Sequence, residues 1–467
     1  MGASWTPPRA PRGTADILPE QVHAWHRVER TAAELAERYG YRELRTPAFE
    51  ALELFARGMG EGTEVVEKEM FLLAPSGRAR VEAGPGEAPD AGPRAQAPAG
   101  GHGAGGAEPL ALRPEFTAGV VRAYRQHGLD KTRGLLKVYS IGPLFRYERP
   151  QKGRQRQFHQ VNLEALGTGD PRAELELIAF AQDLLGALGI PDFAVRLNSI
   201  GCAQCRPGYR ERVRALLQPR RERLCANCRA RLDRNAFRVL DCKLCAEHTA
   251  DLPPMAEQLC AACAEHFAAV RAGLELLDVP YRIDARLVRG FDYYTRTVFE
   301  FPSGRLGAQD ALGGGGRYDR LIPDMGGPEL GACGLAFGIE RLLLAMDPAA
   351  TGSAAAEAAE RARRAAAVYV AATPEPGPRA AALELVTELR RAGLEAEFDL
   401  AGKSLKAQLR AADKAGFGWV VIVGPEELAR GEVALRQMAA GHQQRLPRAE
   451  LLARLAPAVP LAARPAR

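Results

Sequence analysis

The sequence predicts a multi-domain α/β protein. An antiparallel sheet flanked by helices is broken by a Cys-rich helical insertion and followed by a small C-terminal α/β domain. Three observations carry this. Strands in the first two thirds of the chain arrive in hairpin-like runs, the mark of antiparallel pairing. From residue 366 onward strands and helices alternate at the spacing of right-handed βαβ crossovers. Eight of the nine cysteines fall into four CxxC pairs between residues 202 and 263.

Taken in order, His23 to Tyr39 has helical periodicity, and Tyr41 to Thr46 reads as a short strand stopped by Pro47. Between residues 81 and 109, Ala, Gly and Pro supply 21 of 29 residues. Such a tract buries too little apolar surface to offset its chain entropy, so 76–109 is predicted to be a disordered loop insertion. Tyr139 to Gly167 reads as a hairpin. The Ala-rich stretch 347–365 is a linker. Beyond it come a strand at Ala366–Ala372, a helix at Pro378–Ala392, a strand at Glu395–Leu400, a helix at Lys403–Ala415 and a buried strand at Trp419–Val423. These predict a small parallel or mixed sheet.

The 63 basic and 57 acidic residues leave a net charge of +6, compatible with a nucleotide or nucleic-acid ligand. Only eight of the basic residues are Lys, so each Arg is judged by its neighbours. No stretch reaches the length of a membrane span, and the first residues lack the apolar core of a signal peptide, so a cytoplasmic protein is expected. The histidines form neither an HExxH nor a Ser/His/Asp arrangement, which speaks against a hydrolase. His159 and Cys333 read as packed residues.

The cysteines carry a metal signature. Between Cys202/Cys205 and Cys225/Cys228 lie 19 residues, and between Cys242/Cys245 and Cys260/Cys263 lie 14. Two knuckles at the first spacing match a Cys₄ zinc pattern. The spacing predicts structural Zn²⁺, with the first knuckle pairing with the second and the third with the fourth. Pairing of the middle two, 13 residues apart, is the rival. His248 and His266 are candidate substitute ligands.

The hairpin carries the chemistry. On its second arm Gln160, Asn162 and Glu164 alternate onto one face, a polar row on a strand otherwise fit for burial. Unpaired, such groups cost about 1–3 kcal/mol each, so ligand atoms are candidate partners. The loop between the arms holds Arg149, Lys152, Arg154 and Arg156 with no acid, which suits phosphate or nucleic acid.

Phe145-Arg146-x-Glu148-Arg149-Pro150-Gln151, with Arg154 and Gln157-Phe158-x-Gln160, resembles motif 2 of class II aminoacyl-tRNA synthetases in the histidyl-tRNA synthetase version. Arg12–Pro19, Leu54–Phe71, Leu287–Phe301, the GGGGRYDRL run and GLAFGIERLLL resemble further segments of that family, and Gly402–Lys414 extends the resemblance into the C-terminal domain. It implies a catalytic domain at 10–200 and 276–346, an insertion at 201–275 and an anticodon-binding domain at 366–467. It also implies histidine activation with ATP and Mg²⁺, transfer to the histidine tRNA, and a homodimer with the strand ending at Pro47 near its interface.

Residue by residue, the resemblance puts Arg146 on the α-phosphate and the substrate carboxylate. Arg289 stands opposite as a fixed cation, and Arg341 reaches the γ-phosphate. Glu148 recognises the adenine amino group, and Arg154 joins the ATP site. Glu115 and Thr117 bind the α-amino group, with Phe116 standing where Gly is expected. Gln160 and Glu164 complete the histidine pocket, walled by Tyr293, Tyr294 and Tyr318, with Tyr294 on the imidazole. Arg149 and Gln151 meet the tRNA acceptor end. Gly313–Gly316 are expected as a nucleotide floor, where missing side chains let backbone approach a ligand. Two other readings remain. One is a synthetase-like regulatory subunit of ATP phosphoribosyltransferase, which typically lacks the anticodon-binding domain and the catalytic arginines. The other is a zinc-dependent nucleic-acid-binding protein.

Overall fold

The computed structural model describes residues 8–60, 63–73, 109–151, 153–191, 193–234, 236–307, 310–346 and 353–455. Nearly all of the predicted loop insertion at 76–109, and the first part of the predicted linker, lie outside them. The chain divides into two units, residues 1–350 and 351–467.

The first unit is built on an eight-stranded sheet. In chain order its strands are β1 (Arg42–Glu43), β2 (Leu136–Phe145), β3 (Gln157–Leu166), β4 (Val195–Ser199), β5 (Tyr281–Ile283), β6 (Thr295–Pro302), β7 (Ala311–Arg317) and β8 (Ala332–Gly338). In space they run β1-β2-β3-β8-β7-β6-β4-β5. The six central strands are antiparallel as predicted, whereas β1 and β5 add parallel edges. The strand expected over Tyr41–Thr46 shrinks to Arg42–Glu43, its parallel pairing ending with the bond from the Leu44 N–H to the Tyr139 carbonyl.

The helices are α1 (Pro19–Arg38), α2 (Thr117–Gln126), α3 (Arg172–Ala187), α4 (Ala261–Leu276) and α5 (Ile339–Ala345). Helices α1, α3, α4 and α5 cover one face through a core that includes Ala32, Leu177, Leu184, Val270 and Leu342. Behind β7, Arg317 is wholly buried and ion-paired to Glu174, which also meets His266 from α4 at 2.6 Å. These two partners hold the Glu174 carboxyl below its ordinary pKa even though burial pushes it up. A small sheet (Phe49–Ala51, Leu72–Leu73, Leu110–Leu112) and α2 shape the other face.

Between β4 and β5 the chain leaves the sheet for a helical insertion with its own core, including Tyr209, Val213, Leu217, Leu232 and Val239 packed around the cysteines.

The second unit begins with α6 (Ser353–Ala366). Then come β9 (Val368–Ala372), α7 (Pro376–Arg391), β10 (Ala396–Phe398), α8 (Leu405–Lys414), β11 (Trp419–Val423), β12 (Glu432–Gln437) and β13 (Gln443–Pro447). Its mixed sheet, ordered β10-β9-β11-β12-β13, is parallel through β11 and antiparallel beyond. The hairpin of β12 and β13 was not foreseen. Its central residues, Ala434-Leu435-Arg436, lack the polar alternation that marks a half-exposed strand.

Candidate functional site

A cavity of about 590 Å³ opens on the face of the sheet away from α1 and α3. Its floor is β3. Gln160, Asn162 and Glu164 line the cavity, while Val161 and Leu163 enter the core behind, as the alternation predicts. Glu164 accepts hydrogen bonds from Thr117 Oγ1 (2.5 Å) and from the Tyr318 hydroxyl. Burial pushes its pKa up to about 8 despite those donors. Among the described residues, the buried cavity atoms Asn162 Oδ1, Arg196 Nε and Arg289 Nε have no hydrogen-bond partner, and Glu148 Oε2 has only its ion pair with Arg154. Natural proteins seldom leave such atoms unpaired unless a ligand or water meets them.

Glu115 sits at the start of α2, where its carboxylate accepts from the Thr117 (2.6 Å) and Ala118 (2.8 Å) backbone N–H groups. Burial still raises its pKa. Phe116, the departure from the expected Gly, adopts an ordinary helical φ of −94°, and its ring lies under the Arg113 guanidinium. The loop therefore needs no glycine there. Arg113 also ties the loop to the Thr46 carbonyl at 2.7 Å. Tyr293, Tyr294 and Tyr318 are buried together, with ring centroids 4.7 to 6.5 Å apart.

Arg146, Arg289 and Arg341 reach the cavity from three different segments. Arg146 bonds the Pro114 carbonyl (3.0 Å) and lies between the Phe158 and Phe291 rings. Arg289 meets Glu300 at 3.1 Å. Arg341, at the start of α5, bonds only the carbonyls of Gly153 and Ala311 and has no acidic partner among the described residues. Burial, with Arg154 and Arg146 nearby, pulls its pKa down. Such a cation gains from an incoming anion. Glu148 lies 2.6 Å from Arg154, and both line the cavity.

Gly313 and Gly314 also line it, but sheet packing alone already requires them. A Cβ on Gly313 would stand 2.3 Å from the Ala336 carbonyl oxygen, and one on Gly314 would stand 2.6 Å from the Phe299 carbonyl oxygen. Arg149 and Gln151 do not line the cavity and are exposed at the hairpin tip, which Gln151 and Arg154 close by reciprocal backbone bonds. His159 lies off the cavity, against Glu340 and the edge of Trp25, and Cys333 is buried.

Sequence reasoning missed Arg196, Arg238, Asp241, Lys243, Glu300 and Asp310, all on the cavity wall. They come from segments far apart in sequence, and three belong to the insertion.

The cysteine pairing corrects the prediction. Cys202, Cys205, Cys260 and Cys263 form one group and Cys225, Cys228, Cys242 and Cys245 the other, with sulfurs in each within 4.8 Å. First meets fourth and second meets third, so the rival pairing of the middle knuckles holds. The reason is topological. The insertion leaves from β4 and returns through α4 to the same sheet, so its entry and exit knuckles must adjoin. The Sγ–Sγ separations of 3.7, 3.9 and 3.8 Å for Cys202–Cys205, Cys202–Cys260 and Cys225–Cys242 suit a tetrahedron. Four sulfurs at about 2.3 Å from one ion stand about 3.8 Å apart. Backbone N–H groups of Cys260 and Cys225 add bonds to Cys205 Sγ (3.1 Å) and Cys245 Sγ (3.2 Å). Cys225 is held near a pKa of about 7, first by the Cys228 backbone N–H. Neither candidate histidine joins a group. His266 is committed to Glu174, and His248 meets Glu247 at 3.4 Å.

An antiparallel sheet whose motif 2 hairpin, polar row and three arginines close on one cavity defines the class II aminoacyl-tRNA synthetases. The family model described as histidyl-tRNA synthetase matches residues 105–342, and that of an anticodon binding domain matches 367–456. The histidine–tRNA ligase of Moorella thermoacetica is 42% identical over 445 residues, 95% of this chain and 96% of that protein. The histidine–tRNA ligase of Anaeromyxobacter dehalogenans (strain 2CP-1) is 42% identical over 446 residues, covering 95% and 98%. Apo histidyl-tRNA synthetase of S. aureus superposes with a TM-score of 0.71 at 28% identity, covering 96% of this chain and 99% of that one. The chain belongs to the histidyl-tRNA synthetase family. Among the described residues no helix is long and apolar enough to cross a membrane.

Proposed function

We propose how the cavity residues of this histidine–tRNA ligase divide its work, in which histidine and ATP give histidyl-adenylate and pyrophosphate, and the acyl group then passes to the terminal ribose of histidine tRNA with release of AMP. The observation that carries the reading is the convergence of Arg146, Arg289 and Arg341 beside the Glu115–Gln160–Glu164 surface in one cavity. Attack of the histidine carboxylate on the α-phosphorus needs alignment and cancellation of charge more than covalent help. Arg146 and Arg289 clamp carboxylate and α-phosphate, since guanidinium is always charged and pairs bidentately with both. Arg341 takes the γ-phosphate, and Glu148, positioned by Arg154, reads the adenine amino group. Glu115 and Thr117 bind the α-ammonium. Tyr294, Gln160 and Glu164 select the imidazole, with Tyr293 and Tyr318 as wall, because a site built to bond ring nitrogens rejects analogues lacking them.

Among the described residues no three carboxylates gather into a cation cage. That suits Mg²⁺, which keeps water and substrate phosphates as its main ligands. It would offset phosphate charge, and the cavity carboxylates not already given to adenine or histidine, Glu69, Asp241, Glu300, Asp310 and Glu340, are those left to hold it. Excess EDTA should stop adenylate formation. Each Cys₄ group fits a structural Zn²⁺, and elemental analysis of protein purified without added metal should give about two per chain, falling to about one in Cys225→Ser. The exposed Arg149 and Gln151 meet the acceptor end, and the second unit meets the anticodon. We place the enzyme in the cytoplasm as a homodimer, for which gel filtration should give twice the chain mass.

The test is histidine-dependent exchange of pyrophosphate into ATP. It should be robust in the wild type and fall by about a hundred- to a thousand-fold in Arg289→Ala, the scale of removing a preorganised group at the reacting centre. Absence of exchange in the wild type would favour the regulatory-subunit reading. The cavity arginines and the matched C-terminal domain weigh against that reading.

A further inference from the structure

The segment from Arg286 to Tyr294 carries Arg289, Tyr293 and Tyr294 into the cavity, yet it forms neither helix nor strand. Fixed geometry must therefore come from neighbours. The sheet holds its start, where Asn198 Nδ2 donates to the Leu287 carbonyl at 2.9 Å. Beyond that the Asp292 N–H bonds the Met59 carbonyl at 3.1 Å and Arg289 meets Glu300, and the remaining backbone anchors come from the insertion. Arg238 donates to the Gly290 carbonyl and reaches Asp292 Oδ1 at 3.4 Å. Arg206 donates to the Tyr294 carbonyl. In return Arg286 Nε reaches the Leu240 carbonyl at 3.4 Å, and Val288 packs against both the insertion core and the cavity core.

The two arginines are themselves placed by the cysteine groups. Arg206 directly follows Cys205 in the group at the base of the insertion. Arg238 lies in the short turn Phe237–Leu240 between Cys228 and Cys242 of the other group. The guanidinium of Arg206 also lies near the Phe237 ring, 5.8 Å from its centroid, which couples the two. Asp241 and Lys243, flanking Cys242, line the cavity directly.

We propose that the Cys-rich insertion is a working wall of the amino-acid activation site. Arg206 and Arg238 are positioning residues for the strap that carries Arg289 and the tyrosines. Metal occupancy of the two cysteine groups therefore governs adenylate formation even when no tRNA is present. This rests on the activation chemistry proposed above. An insertion serving tRNA alone would leave exchange without tRNA untouched.

The experiment uses the full chain in histidine-dependent pyrophosphate exchange without tRNA, beside zinc analysis and near-ultraviolet circular dichroism. Arg206→Ala and Arg238→Ala should keep their zinc and native spectrum, yet lose about ten- to a hundred-fold in kcat/KM, the scale of a small misplacement of positioned groups. Arg206→Lys, which keeps one donor, should recover part of the loss. Stripping zinc from the wild type with a mercurial and chelator should lower exchange in step with metal removed, and zinc with excess thiol should restore it. Unchanged kinetics in both alanine variants would overturn the proposal. So would full exchange from metal-free chain. Wild type without any exchange would instead sink the activation reading itself.

Discussion

Glu164 shows what a single residue is asked to do in this cavity. It is a carboxyl at 1% exposure among donors, with its pKa pushed up by burial from 4.5 to about 8. The folded state thus binds its proton more tightly than the unfolded chain. Its contribution to stability is fullest below about pH 4.5, declines as pH rises to about 8, and levels off above. Glu164→Gln removes that dependence. The stability of wild type relative to the variant should therefore fall across this window, by a few kcal/mol at most. Denaturant melts at several pH values would read this, and a relative stability rising across the window would contradict it. On the proposed assignment histidine brings its ammonium to Glu115 and a ring N–H to Glu164, which favours their ionised forms. Binding near pH 7 should release a proton, seen as a buffer-dependent enthalpy in calorimetry, and the release should diminish in Glu164→Gln. The polar row was legible in the sequence because β-strand alternation forces every second residue onto one face. Asp241 and Arg196 were not, because nothing local marks a charge whose partners are brought near only by the fold.

At the scale of elements, the close approach of β3 and β8 sets the cavity floor. A Cβ on Gly334 would stand 1.9 Å from Glu164 Oε2 and 3.0 Å from the Leu163 carbonyl oxygen. The Leu163 carbonyl is held in the ladder, and the Glu164 carboxylate is tied by the Thr117 and Tyr318 hydroxyls, so neither retreats without losing bonds. Gly334→Ala should destabilise the protein by roughly 1–3 kcal/mol and raise the KM for histidine. Gly186→Ala, on the exposed side of α3 with nothing within 4 Å, should be neutral or stabilise by up to roughly 0.5–1 kcal/mol. Thermal melts of the pair would decide it, and equal effects would mean that the floor is softer than its packing implies. Elements with strong local periodicity, such as the hairpin of β2 and β3 and the alternation from β9 to β11, could be read from sequence. The edge strand β1 falls within the strand read over Tyr41–Thr46, but its parallel pairing could not be read, and neither could β5, since three residues carry no period. The nested cysteine pairing also escaped, because CxxC spacing reports which residues can bind but not which knuckles a returning chain brings together.

At the scale of the whole molecule, each unit has a core of its own. Residues such as Val370, Leu385, Val421 and Leu435 close the second unit without help from the first. All of the cavity-lining residues belong to the first unit. A chain ending near residue 350 should therefore fold, bind zinc and catalyse histidine-dependent exchange at close to the full-length rate. Charging of tRNA is different. A second, tethered contact turns anticodon binding into an intramolecular event that adds avidity without new contacts at the acceptor end, often by factors of about 10² or more. Removing it should raise the KM for tRNA by about that factor while leaving the KM values for histidine and ATP nearly unchanged. Nucleic-acid contacts include charge with phosphate, so the full-length enzyme should show the steeper loss of tRNA affinity as salt rises. Aminoacylation and exchange measured side by side on the two chains would test this. Equal charging of tRNA by both would remove the second unit from tRNA recognition, whereas loss of exchange in the shorter chain would mean that the units are not independent in the activation step.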